Sequence, residues 1–136
     1  MLRRLKEKQE KILQLLTYLA DDSAKGVLIV VEGKKDVEAL VSLGVEGPIL
    51  AAKAGGKAFV QVQREIERTC PREVILLLDF DRRGKEATAT FTQNLERAKI
   101  KINLTFWKTL STLVGHEAQC IESLPAYLQT LEQKTR

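Results

Sequence analysis

"VLIVVEGKKD", residues 27–36, decides the fold. Five β-favouring apolar residues, Val27 to Val31, run without a polar interruption and then meet Glu32, Gly33, Lys34, Lys35 and Asp36. A half-solvated strand alternates apolar and polar residues, so an unbroken run predicts a strand covered on both faces, as in a parallel sheet. A carboxylate at the end of such a strand is costly unless a cation or hydrogen-bond donors meet it.

Outward from this stretch the same rhythm repeats. Asp36 to Leu43 predicts a short helix with Val37, Leu40 and Val41 inward, closed by Gly44, and Pro48 to Ala52 predicts a second strand. Lys53 to Lys57 reads as a loop, and Ala58 to Thr69 as a helix carrying Phe59, Val62 and Ile66, stopped by Pro71. Glu73 to Leu78 is the third and most apolar strand, ending in Asp79-Phe80-Asp81 before a turn at Gly84. Glu86 to Ala98 fits a helix, while Ile100, Ile102, Leu104 and Phe106 alternate with polar residues as in a half-covered strand. Strands alternating with helices at this spacing predict an α/β fold whose mostly parallel sheet has helices on both faces.

The flanks add helices. Leu2, Leu5, Ile12, Leu16 and Leu19 form an amphipathic stripe over residues 2–20, ended by Asp21, Asp22, Ser23 and Gly26. Gln9 interrupts this short repeat, so a core-docking face is the first reading and a homodimer seam the second. Ser111 to Cys120 has no single reading, and Ser123 to Glu132 is helical with Pro125 in its first turn. The expected organisation is an N-terminal amphipathic helix over 1–24, a core over 25–110 and a C-terminal helical extension over 111–136.

A chain of 136 residues suits one domain. With 44% apolar and 29% charged residues and no bilayer-length apolar run, no membrane role is expected. The basic N-terminus has its leucines interrupted by Lys, Glu and Gln, so it carries no secretory h-region and a cytoplasmic location is expected. Cys70 and Cys120 lie fifty residues apart, and His116, the single histidine, has only Cys120 near it, too few ligands for a zinc motif and no partner for a histidine-based triad. A net charge of +4 leans toward acidic partners, but acids and bases are interspersed, so placement matters more than the total.

Three loops then share one rim of a parallel sheet: Glu32-Gly33-Lys34-Lys35-Asp36, Lys53-Ala54-Gly55-Gly56-Lys57 and Asp79-Phe80-Asp81-Arg82-Arg83-Gly84-Lys85. Asp79 and Asp81, two apart on an extended chain, point the same way. With Glu32 they form a carboxylate set suited to Mg²⁺, which takes one or two carboxylates, waters and substrate phosphates. Lys34, Lys35, Lys53, Lys57, Arg82, Arg83 and Lys85 are the candidate phosphate-binding residues. Gly33, Gly55, Gly56 and Gly84 either satisfy positive-φ turns or let backbone approach a phosphate. Each piece also has a plainer reading: Asp-x-Asp as a turn with an Asx cap, and the cations as a solvated surface. Gly56-Lys57 is followed by Ala58 rather than Ser or Thr, and no Gly-x-Gly-x-x-Gly exists, so P-loop and dinucleotide readings fall away.

Glu-Gly ending the first strand, then a glycine loop, then Asp-x-Asp-x-x-Gly ending a later strand resembles the Toprim domain from about Val27 to Phe106. Small archaeal Toprim proteins, and the Toprim part of ribonucleases that mature 5S ribosomal RNA, are the most similar in motif. The resemblance implies a four-stranded, largely parallel sheet, Mg²⁺ (with Mn²⁺ as a substitute) at Asp79 and Asp81, and an acid-base role for Glu32. It implies RNA or DNA as partner. A strand-passing gate and a zinc-bearing primase module are both missing from this length of chain, so autonomous topoisomerase or primase activity is not expected.

Two function classes follow. The first is Mg²⁺-dependent phosphodiester hydrolysis, with Asp79 and Asp81 holding the ion, Glu32 ligating a second ion or relaying a proton, and Lys34, Lys57 and Arg82 orienting the backbone. The second is a non-catalytic nucleic-acid-binding scaffold, as in recombination mediators. A phosphatase of the haloacid-dehalogenase type ranks below both, because its motif wants Thr where Arg83 stands.

Overall fold

A computed structural model describes residues 1–53 and 59–136. Gly55, Gly56 and Lys57 of the expected phosphate loop lie outside the described residues. The elements in chain order are α1 (Leu2–Ala24), β1 (Leu28–Val31), α2 (Lys34–Ser42), β2 (Ile49–Ala51), α3 (Phe59–Thr69) and β3 (Glu73–Leu77). There follow α4 (Arg82–Arg97), β4 (Lys101–Asn103), α5 (Thr105–Val114), a 3-10 turn (Ile121–Ser123) and α6 (Leu124–Thr135).

The four strands are all parallel, in the order β2-β1-β3-β4. Ile29, Val30 and Val31 of β1 and Val74 to Leu77 of β3, with Leu78 after it, are fully buried. Burying each such side chain stabilises by roughly 1.5–3 kcal/mol relative to exposure, which is why these two strands take the centre of the sheet. Their side chains alternate between two cores. Ile29, Val31, Ile75 and Leu77 face Ile12, Leu16 and Leu19 of α1, Leu40 of α2, Leu110 of α5 and Leu131 of α6. Val30, Val74, Leu76 and Leu78 face Val62 and Ile66 of α3 and Phe91 and Leu95 of α4. The architecture is therefore helix, sheet, helix. Among the described residues, no helix is long and apolar enough to cross a membrane.

Connections leave β1 toward β2 and β3 toward β4, in opposite directions, so the β1–β3 seam is the topological switch point where a crevice opens at the strands' C-terminal ends. Val31 pairs with Leu77 in register, which brings the residues that follow, Glu32 and Asp79, to one place.

Four local expectations need correction. The alternation over Ile100 to Phe106 does not carry a strand to its end: β4 stops at Asn103, whose Oδ1 accepts the Thr105 N–H at 2.9 Å. Phe106 is buried instead by helical spacing with Leu110 and Val114. The helix expected from Glu86 begins at Arg82, because Asp81 caps it. Residues 21–24, expected to end α1, continue it, and the buried Ser23 hydroxyl accepts the Gly47 N–H at 2.9 Å. Gly33 (φ −136°) is extended rather than left-handed, and Gly84 sits inside the first turn of α4.

Candidate metal and nucleic-acid site

Glu32, Asp36, Asp79 and Glu122 line one cavity of about 190 Å³, together with Gly33, Lys53 and Cys120. Each arrives for a local reason. Glu32 follows the last residue of β1, and Lys53, just past β2, donates its backbone N–H to the Glu32 carbonyl at 2.9 Å. The Lys53 ammonium then sits 3.5 Å from Glu32 Oε2 and 5.3 Å from the Phe59 ring centroid. Asp79 lies two residues beyond β3. Its segment is pinned by the Trp107 indole N–H, which donates to the Leu78 carbonyl at 2.9 Å, and by the Phe80 N–H, which donates to the Gln119 carbonyl at 2.7 Å.

Asp36 is almost fully buried in the first turn of α2. Its Oδ2 accepts the Gly33 N–H at 2.9 Å and its Oδ1 accepts the Glu122 N–H at 2.8 Å. Burial pushes its carboxyl above the ordinary range, while those two N–H donors hold it down. Asp79 is pushed up to about 8, first by burial, then by its hydrogen bond with Glu32 and by the charges of Glu32, Asp36 and Asp81. Without a cation, the Asp79 carboxyl therefore favours its protonated form near neutral pH.

One oxygen each from Asp36 and Asp79 and the Cys120 sulfur all lie within 4.8 Å of one another. Carboxylates crowded until one holds its proton to about pH 8 are a donor set short of positive charge, and a divalent cation fits that deficit.

The expected site residues separate into groups. Glu32, Gly33, Lys53 and Asp79 share the cavity. Asp81 does not line it: the strand has already ended, and Asp81 turns Oδ1 onto the Gly84 N–H at 2.8 Å, opening instead onto a neighbouring groove with Arg82 and Lys85. Gly84 serves close packing, since a Cβ there would land on the Asp79 carbonyl. Lys34, Lys35 and Arg83 are exposed at the starts of α2 and α4, and Arg82 pairs with Glu86 at 3.3 Å. Asp36, Cys120 and Glu122 were not among the expected site residues. Asp36 carries a local signal, an acid three residues after an Glu-Gly strand end; Cys120 and Glu122 reach the site only through tertiary folding.

The family model for the Toprim domain matches residues 26–106. The chain belongs to the Toprim family. A UPF0292 protein of Methanocaldococcus jannaschii is 36% identical over 120 residues, covering 88% of this chain and 91% of its own. One from Methanosarcina acetivorans is 32% identical over 130 residues, covering 96% of this chain and 88% of its own. A solved protein from Aquifex aeolicus superposes with a TM-score of 0.66 at 24% identity, over 81% of this chain and 94% of that one, and so shares the fold. Toprim membership places the chain in a nucleic-acid-processing family whose domains typically bind divalent metals.

Proposed function

We propose that this Toprim protein hydrolyses phosphodiester bonds of RNA or DNA with Mg²⁺, for which Mn²⁺ can substitute. The observation that carries the reading is the convergence of Glu32, Asp36 and Asp79 in one cavity beside Lys53. Asp79 and Asp36 are the oxygen donors within reach of one ion, with Cys120 on its border. A divalent cation there would neutralise phosphate charge and act as a Lewis acid. Glu32, paired with Lys53 and lining the same cavity as Asp79, would serve as the acid-base group. Lys53 and, at the helix starts, Lys34, Lys35, Arg82, Arg83 and Lys85 orient the phosphate backbone, with Gly55, Gly56 and Lys57 assigned to the same role by sequence. In this reading residues 25–110 are the catalytic core, and the extension over 111–136 lends it Cys120 and Glu122.

A second reading, a non-catalytic nucleic-acid-binding scaffold, is favoured by Asp81, whose side chain is engaged in capping α4 rather than lining the carboxylate cavity. Incubation of end-labelled RNA and DNA with and without Mg²⁺ separates the two. Hydrolysis expects metal-dependent cleavage lost in Asp79→Asn with binding kept. Binding without cleavage by the unmutated chain supports the scaffold, and neither binding nor cleavage removes both.

A further inference from the structure

Two cavities outside the carboxylate pocket open along α5. One, of about 570 Å³, lies between the start of α4 and the end of α5 and carries Asp81, Arg82, Lys85, Thr112 and His116. The other, of about 480 Å³, lies between α1 and α5 and carries Lys11, Tyr18, Lys108 and Thr112. Thr112 lines both and lies four residues after Lys108 on α5, so one side of the helix joins the two openings, with His116 just past the helix end. The first opening also abuts the carboxylate pocket: Asp79 and Cys120 line the pocket, while their neighbours Phe80, Asp81 and Gln119 line the groove.

Charge is segregated here. The whole chain holds 22 basic and 18 acidic residues, nearly balanced. The ionisable groups lining these cavities are Lys11, Lys108, Arg82, Lys85 and His116, with Tyr18, against one carboxylate, Asp81, which already accepts the Gly84 N–H. Glu86 meets Arg82 from outside the lining, an exposed pair that contributes little. Tyr18 is 53% exposed at the far end, its hydroxyl accepting the Gln14 side-chain N–H at 3.1 Å.

We infer that a single-stranded nucleic acid lies along α5, its phosphates held by Arg82, Lys85, Lys108 and Lys11 and a base stacked on Tyr18. A cationic groove with an exposed aromatic ring suits a single strand, because bases stacked inside a duplex cannot reach that ring. Lys11, Tyr18, Lys108, Thr112 and His116 lie outside the 26–106 Toprim match and Arg82 and Lys85 inside it, so the surface joins the Toprim core to its flanking helices. The inference rests on the nucleic-acid part of the reading above and not on catalysis.

The test is fluorescence anisotropy of a labelled 12-nucleotide oligo-dT or oligo-U and of a 12-base-pair duplex, in EDTA, over a salt series. The unmutated chain is expected to prefer the single strands. Lys11→Glu with Lys108→Glu is expected to weaken their binding at least tenfold and to flatten the salt slope by about 1.4, at about 0.7 per phosphate contact. Tyr18→Ala is expected to cost at least fivefold and to abolish the ultraviolet crosslink of oligo-U to that residue. Arg68→Glu with Lys99→Glu, an equal charge change on exposed residues at the far ends of α3 and α4 that line neither cavity, should stay within about threefold of the unmutated chain, a tolerance set by screening. If the groove variants bind like the unmutated chain, if the duplex binds as well as the single strands, or if poly-glutamate competes equally, the groove assignment falls while the cleavage assay stands apart. If no nucleic acid binds at all, this inference and the reading beneath it fall together.

Discussion

Asp36 Oδ1 accepts the backbone N–H of Glu122 at 2.8 Å, joining residues 86 positions apart across the mouth of the carboxylate cavity. With Oδ2 on the Gly33 N–H, one nearly buried side chain ties the start of α2 to the turn before α6. Hydrogen bonds to a charged acceptor contribute about 1.5–3 kcal/mol each, and a donor left unpaired is costly in its own right. Asp36→Ala should therefore destabilise the fold by about 2–4 kcal/mol, read as a lowered urea midpoint at unchanged m-value. A loss under about 0.5 kcal/mol would show that water replaces the carboxylate and that the tie is ornamental.

Gly84 presses on Asp79 so closely that a Cβ would land on the Asp79 carbonyl. By helix propensity alone, Gly→Ala within α4 would stabilise by up to about 1 kcal/mol. Here the clash is with backbone, which cannot rotate away, so Gly84→Ala should destabilise by about 1–3 kcal/mol and shift Asp79 as α4 is pushed off the strand end. Thermal unfolding gives the sign directly. A raised Tm would mean that the helix is free to move and that Gly84 has no steric role.

These two contacts mark the boundary of what was legible in the sequence. Val27 to Val31 and Glu73 to Leu78 are contiguous apolar runs, and such runs have few ways to be satisfied other than central parallel strands, so Glu32 and Asp79 could be placed at their ends. Asp81 could not be placed, because Asp-x-x-Gly is equally the pattern of a metal loop and of a helix cap, and here the cap is what the backbone demands. Phe106 fits both a period of two with Leu104 and a period near four with Leu110, and the choice falls to Asn103, which closes the strand by taking the Thr105 N–H. Cys120 and Glu122 sit beyond any local pattern, since their proximity to Asp36 and Asp79 exists only after α5 has folded back over the sheet.

A cation that binds the folded cavity but not the unfolded chain stabilises by mass action, about 2.7 kcal/mol at a hundredfold excess over Kd. At pH 8, Mg²⁺ or Mn²⁺ should raise Tm by several degrees in the unmutated chain and leave Asp79→Asn unmoved. Cys120→Ser distinguishes the ligands: a hard ion held by Asp36 and Asp79 oxygens should be indifferent to it, whereas dependence on the sulfur would point to a softer metal. No shift with any divalent cation would count against the cavity as a metal site.

The proton on Asp79 sets the sign of the pH dependence. In the unfolded chain this carboxyl releases its proton near 3.8, while in the fold it holds it to about 8. Between those values the native state binds more protons than the unfolded state, so this group's contribution makes stability fall as pH rises, and the loss levels off above about 8. Other carboxylates titrate in the same range, so the informative quantity is a difference. Asp79→Asn resembles the protonated form at every pH, and in divalent-free buffer its stability relative to the unmutated chain should climb from pH 4 to pH 8. Adding Mg²⁺ should reverse that advantage at pH 8, because the ionised carboxylate then has its counter-charge. Equilibrium urea titrations at four or five pH values measure both trends, and a flat difference would mean that Asp79 ionises as freely in the fold as in the unfolded chain.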